Sequence, residues 1–274
     1  MKEILITSSV LILAVLLLRH LFRGKVSQKL IYAAWLLVAL RLLVPVQFGQ
    51  SQFSVATMTQ KLEAHSEPIQ QAQQALQEPV AGPSREELYA QLLNQYLQQN
   101  PDTPERIPTE VMHDIGQQVE AKVAPTVAEV LTSVWIAGMI VMAVWFIATN
   151  LYFLYRAKKD STPMEIGGVR VRISANVPTP CLVGLFHPLI YLTPACVEDE
   201  QSKAHVLAHE KAHLRHGDHI WALVRCICLC IYWFDPLVWI AAAQSRRDCE
   251  LACDESALKK LGDGERMAYG KTLL

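Results

Sequence analysis

Apolar residues in this chain neither alternate nor recur at a steady period; they come in long blocks with polar stretches between them. The first block, Ile4 to Phe22, is about as long as a helix must be to cross the ~30 Å hydrocarbon core of a bilayer, and only Arg19 and His20 interrupt it. It is too long for a signal-peptide core, its cations follow rather than precede it, and no small-x-small cleavage site follows. A second block, Leu30 to Val46, stops around Pro45 and contains Arg41 near its far end, within snorkelling reach of the interface. A third, Val127 to Leu154, ends in Arg156, Lys158 and Lys159.

The cations orient these blocks. Arg19, Arg23, Lys25 and Lys29 sit between the first two, which puts that connection in the cytoplasm and the N-terminus outside. The cations after the third block put the chain beyond Asp160 in the cytoplasm as well. All seven cysteines, Cys181 to Cys253, lie beyond that point in no spaced framework, the pattern of reduced thiols. The formal net charge of −1 argues neither for nor against nucleic acid, but no basic patch interleaved with aromatics is present, so no direct nucleic-acid partner is expected.

Residues 47–124 change character, being rich in Gln (Gln70, Gln71, Gln73, Gln74, Gln98, Gln99), Glu and Pro. Helices are expected over Arg85–Gln99 and Thr109–Val123, each opened by a Pro-Ser or Pro-Thr pair. On the topology above this loop is extracytoplasmic, read as a solvated connector in preference to a ligand sensor.

Beyond Asp160, Val169-Arg-Val-Arg-Ile173 alternates as a strand does, and Leu182 to Leu192, bracketed by Pro180 and Pro194, reads as one long edge strand. From Glu198 the period becomes helical, and that helix carries His209, Glu210 and His213. Histidines at i and i+4 share a face and can hold one zinc ion, with Glu210 beside them as base toward a metal-bound water. A histidine-rich solvated helix is the competing reading, since His205, His216 and His219 lie nearby. A second helical pattern, Arg247 to Leu261, offers Glu250 as third ligand and Asp254 as a support that fixes a ligating imidazole. Cys249 and Cys253 are soft-ligand alternatives, read as core residues.

Between the two patterns, His219 to Ala243 is apolar enough for a fourth span. A single crossing there would separate Glu250 from the histidines by ~30 Å of hydrocarbon. Asp235-Pro236 breaks the segment, so two short helices, Trp221–Trp233 and Leu237–Ser245, are expected to dip into or lie against the membrane and return.

Together these residues resemble the BlaR/MecR-type antirepressor membrane metallopeptidases, Glu-zincins similar at greater distance to the prenyl-protein endopeptidases and HtpX. The resemblance rests on the three N-terminal blocks, Pro180-Cys-Leu-Val-Gly184 through Pro188-Leu-Ile-Tyr-Leu192, His209-Glu-Lys-Ala-His213 followed by Asp218, Trp233-Phe-Asp-Pro-Leu-Val-Trp239, and Glu250 with Asp254. It implies zinc on His209, His213 and Glu250, Glu210 as general base, Asp254 as support, and an edge strand, here Leu182–Leu192, that aligns substrate. It also implies an outside signal that switches on cleavage of the protease itself or of a cytoplasmic transcriptional repressor. The chain ends at Leu274 without the family's final span and penicillin-binding module, so a C-terminally shortened chain is expected. A lone Ser256-x-x-Lys259 without Ser-Asp-Asn or Lys-Thr-Gly partners lends no support to β-lactam sensing.

The expected architecture is therefore a mainly α membrane protein. It has a transmembrane helical hairpin over 1–46, the polar loop 47–124, a third transmembrane helix over 125–156, and a cytoplasmic α+β zincin-like domain over 157–274 with a re-entrant or membrane-apposed helical hairpin. The expected function is a zinc endopeptidase in a bacterial plasma membrane, acting on a protein at its cytoplasmic surface, with the bilayer as its standing partner. A homodimer is compatible with the sequence, which leaves no trace of oligomeric state. A signalling scaffold that keeps the fold without cutting is the alternative, and the intact Glu210 weighs against it. A small transporter would need polar residues spaced through the spans, and Arg41 is thin support for that.

Overall fold

The computed structural model describes residues 2–22, 25–44, 71–72, 75–101 and 107–273; Arg23, Pro45 and Val46, and Gln70, Gln73 and Gln74 lie outside them. The chain forms two compact units, Gln50–Ala137 and Met1–Gly49 with Gly138–Leu274.

In the smaller unit the two expected helices form, α3 (Arg85–Gln99) and α4 (Thr109–Lys122). Ser84 and Glu87 make a reciprocal capping box that starts α3. On α4, Ile115 and Val119, one turn apart, are buried, and Arg85 and Glu120 pair across the two helices at 3.0 Å.

The larger unit begins with α1 (Lys2–Leu21) and α2 (Gln28–Leu43) and resumes on α5 (Val127–Lys158), which starts in the smaller unit. Among the described residues, two helices are long and apolar enough to cross a membrane, Glu3–Leu21 and Val127–Lys158. The second expected span, α2, has 16 residues and buries Ile31, Tyr32, Trp35, Val38 and Leu42. Arg41 donates to Thr7 Oγ1 on α1 at 2.8 Å, so its head group has a protein partner.

A small sheet follows, made of β1 (Thr162–Ile166), β2 (Val169–Ile173), β3 (Cys181–Val183) and β4 (Leu189–Leu192), in the order β1-β2-β4-β3. The long strand expected over Leu182–Leu192 is instead a hairpin, β3 against β4. Gly184 turns the chain with φ +107°, and a Cβ there would lie 2.8 Å from the His187 carbonyl oxygen. Of these two strands only β3 lies at an edge, the other edge being β1. β4 pairs on both sides, and its Ile190 and Leu192 are buried beneath Val206 and Leu207 of the next long helix.

After a short α6 (Pro194–Glu198) comes α7 (Glu200–His216), capped by Asp199, whose side chain accepts from Ser202 N, and ended by Gly217 in the left-handed region. The apolar segment then forms α8 (Asp218–Ile231) and α9 (Pro236–Leu261). Asp235 caps α9 and Pro236 takes its first turn, where a missing N–H costs nothing. The hairpin forms, but its second arm runs unbroken into the segment expected as a separate helix from Arg247. Nothing between Leu237 and Leu261 is a helix breaker; polar Gln244 to Arg247 mark a change of surroundings along one helix. A 3₁₀ turn and α10 (Arg266–Leu273) close the described chain.

α2 lies antiparallel to α9. Its start meets Glu255, which accepts from Ser27 Oγ and Gln28 N, and its end meets the hairpin tip, where the Tyr232 hydroxyl donates to the Leu42 carbonyl at 2.8 Å. Midway, Asp248 is 1% exposed, with Arg19 Nε 2.7 Å from Oδ1 and Trp35 Nε1 2.9 Å from Oδ2. Asp248→Ala would strand both donors, and breaking such a pair costs about 3–5 kcal/mol. The expected result is a melting temperature several degrees lower for the detergent-purified variant, measured by differential scanning fluorimetry against wild type.

Candidate metal centre

α7 and α9 pack side by side, which brings His209, Glu210 and His213 to Glu250 and Asp254 on one side of the fold. The two imidazole Nε2 atoms lie 3.1 Å apart. Glu250 Oε2 is 3.5 Å from His209 Nε2 and 3.4 Å from His213 Nε2. Two donors each about 2.0–2.1 Å from a tetrahedral ion are ~3.3 Å apart, and all three edges fall close to that.

Both imidazoles are held from behind. His209 Nδ1 lies 3.0 Å from Asp254 Oδ1 and 2.9 Å from the Tyr269 hydroxyl, which itself donates to Asp254 at 2.8 Å. His213 Nδ1 lies 2.7 Å from Asp218 Oδ2. A carboxylate only accepts, so each Nδ1 carries a proton, and each Nε2 is left for a metal ion or, in its place, a second proton shared with Glu250. Burial alone would lower both imidazoles, but hydrogen bonds outweigh it. Those to Asp254 and Glu250 lift His209 to about 9, and those to Asp218, Cys249 and Glu250 lift His213 to about 12. The same two imidazoles hold Glu250 well below the usual carboxylate range. The cluster is built around positive charge, and two imidazoles with one carboxylate suit zinc in its catalytic, open-sided form.

Glu210 is 5% exposed, and its Oε2 has no hydrogen-bond partner among the described residues. Burial pushes its pKa up, against the pull of both imidazoles. It lines a cleft of about 1050 Å³ bounded by α7, the α8–α9 hairpin and the edge strand, where Pro180, Cys181 and Leu182 reach the same space. Of His187, His216 and Arg246, three groups that could in principle serve an oxyanion, only Arg246 lines the cleft. His216 Nε2 meets Ser256 Oγ instead, at 3.1 Å, and His187 is exposed in the β3–β4 turn. Arg225 and His219 also line the cleft, each with one buried nitrogen unpartnered among the described residues.

The solvated-helix reading of α7 does not describe it. His205 is 1% exposed and is tied to Thr272 and Glu265 at 3.0 Å each. Cys249 and Cys253 are buried behind His213, with sulfurs 3.9 Å and 3.3 Å from Nδ1. They and Asp218 form a second donor group with His213. However, 2.7 Å between its nitrogen and the Asp218 oxygen is a hydrogen bond, too short for two ligands of one ion. Asp218 and Tyr269 were not singled out for these roles from sequence. Asp218 stands one residue past the glycine that ends α7, a position at which an acid can face back to the last turn. Tyr269 comes from a separate helix and carries no sequence signal.

The sequence model of the family described as BlaR1 peptidase M56 matches residues 1–274. The chain is similar to the methicillin resistance mecR1 proteins of Staphylococcus aureus and Staphylococcus epidermidis, 30% identical over 108 residues, 39% of this chain and 18% of each relative. It is also similar to the regulatory protein BlaR1 of Bacillus licheniformis, 24% identical over 182 residues, 60% of this chain and 30% of that relative. The chain thus matches less than a third of the length of these curated relatives.

Removing a hydrogen-bonded support of a ligating imidazole commonly weakens metal binding 10–100-fold. Asp254→Ala is expected to weaken zinc binding by about that much in a chelator-competition titration, and Tyr269→Phe, which keeps the carboxylate, by less.

Proposed function

The chain belongs to the BlaR1 peptidase M56 family, and from that premise we propose that it is a membrane-embedded zinc endopeptidase. It cleaves a protein, itself or a cytoplasmic regulator such as a transcriptional repressor, at the inner surface of a bacterial plasma membrane during signal transduction. The observation that carries this reading is the triangle of His209, His213 and Glu250 donor atoms, 3.1–3.5 Å apart, with an unpartnered Glu210 carboxylate oxygen in the same cleft.

Bound zinc would make a water acidic near neutral pH and polarise the scissile carbonyl. Glu210 takes a proton from the attacking water and returns it to the departing amine; its raised pKa suits a group that must do both. Asp254 and Asp218 keep the two imidazoles in the tautomer that leaves Nε2 free. The substrate lies extended along β3, whose outer edge is unpaired among the described residues and can exchange main-chain hydrogen bonds with it. Arg246, Arg225 and His219 offer N–H donors toward the charge that develops on the carbonyl oxygen.

The membrane placement draws on two apolar helices and on the cations that follow them. In this topology the N-terminus and residues 47–124 lie outside and residues 157–274 lie inside. The seven cysteines, all free, suit a reducing compartment. A protein that kept this fold only to transmit a signal would gain nothing from a buried, unpaired carboxylate at Glu210, which is costly to maintain.

Zinc content and self-cleavage, read by elemental analysis and intact mass, separate ligand from base. Near one zinc per chain is expected in wild type and in Glu210→Gln, with cleavage in that variant reduced at least 100-fold. Glu250→Ala is expected to lose most of its zinc. Undiminished cleavage by Glu210→Gln would remove the mechanism, and full zinc in Glu250→Ala would remove the third ligand.

A further inference from the structure

Behind His213 the hydrogen-bond chain does not stop at Asp218. The other oxygen of that carboxylate, Oδ1, accepts from the Tyr32 hydroxyl at 2.8 Å. Tyr32 lies on α2, is 8% exposed, and its ring is tilted against Trp221 with centroids 6.1 Å apart. A carboxylate bonded through one oxygen can still swing about its terminal torsion, which is broad. Bonded through both, it cannot. With Oδ2 on His213 Nδ1 at 2.7 Å and also accepting from Cys253 Sγ at 3.2 Å, and Oδ1 on Tyr32, the plane of the Asp218 carboxylate is fixed. That plane aims the His213 ring and hence the Nε2 that faces Glu250.

We propose that Tyr32 is a positioning residue of the metal centre, through which the apolar helix α2 sets the zinc affinity of the His209–His213–Glu250 site by way of Asp218. The inference rests on the metal reading given above. The register of α2 is itself fixed near the site. Glu255, next to Asp254, holds Ser27 Oγ at 3.2 Å and Gln28 N at 2.8 Å, and Asp248, two residues before Glu250, holds Trp35 Nε1 at 2.9 Å. A slide of α2 by one residue is ~1.5 Å, enough to break a 2.8 Å hydrogen bond from Tyr32. Metal retention is thereby tied to how the N-terminal helices are seated.

The test uses the full chain in detergent. Zinc affinity is read by competition with a chromophoric chelator, and the geometry at His213 by the visible absorption of the cobalt-loaded protein. Tyr32→Phe keeps the ring and removes the hydroxyl; it is expected to weaken zinc binding about 10-fold and to change the cobalt spectrum. Asp218→Asn should weaken it 10–100-fold, and the double variant no further than Asp218→Asn alone, because the proposal routes the effect of the hydroxyl through that carboxylate. Trp35→Phe, which removes one α2 anchor and leaves Ser27 and Gln28 on Glu255, should lower the melting temperature and weaken zinc binding less than Tyr32→Phe. Wild-type affinity and spectrum in Tyr32→Phe would overturn the inference, as would losses that multiply in the double variant or an equal loss of zinc in Trp35→Phe. A wild-type chain that takes up no zinc would instead overturn the metal reading, and this inference with it.

Discussion

Two imidazole nitrogens with their lone pairs aimed at each other across 3.1 Å, and a carboxylate oxygen within 3.5 Å of both, repel unless positive charge lies among them. The fold has to hold that arrangement against its own electrostatics, and much of the larger unit can be read as the means. α7 supplies the nitrogens at i and i+4, and α9 supplies the oxygen. Asp254 and Asp218 clamp the rings from the far side, so neither can rotate away to relieve the repulsion.

α9 carries the heaviest share, and its acids sort by helical face. Glu250 and Asp254, one turn apart, look toward α7. Asp248 and Glu255, seven residues apart and so again on one face, look toward α1 and α2. A charged helix face of this kind can also be simply solvated; the structure gives each of the four acids a named partner. Asp248 is the most buried of the four, and its charge is matched by Arg19, a residue whose placement near the end of the first apolar block looked like a topology signal alone.

What the sequence made legible was whatever repeats or caps locally. The i, i+4 histidines, the Pro-Ser and Pro-Thr helix starts, the Val169–Ile173 alternation and the Asp235-Pro236 break all correspond to elements or boundaries of the structure. Where structure and sequence pattern part, the causes are local too. The apolar run Leu182–Leu192 has the pattern of one strand, and the single Gly184 within it turns the chain into a hairpin. β1 has no clear alternation, and its signal lies in Gly167-Gly168, both at positive φ, which form the two-residue turn that joins it to β2. The polar residues Gln244 to Arg247 change the surroundings of α9 and leave its backbone unbroken. The contacts of Tyr269 and Tyr32 with the site depend on chain segments far apart in sequence, which no period or spacing encodes.

The depth of the hairpin bears on how a peptidase centre can sit beside a membrane. From Asp235 at the tip to Glu250 is ~22 Å along a helix, and the tip reaches the far end of α2 at Leu42, while the metal-site end lies level with Ser27 to Tyr32. Outside the cleft the hairpin carries Ile220, Leu223, Ile227 and Ile240, all exposed and apolar, whereas its cleft face mixes His219, Arg225 and Arg246 with Ala222, Cys226, Leu229 and Trp239. On the proposed membrane reading, the first set would face hydrocarbon and the cations would face the cleft. A hydrolytic centre so placed would keep access to water while the helices that support it stay among lipid. The conflict between an apolar segment and a metal site assembled from both its ends is resolved by sending the chain in and back along α2.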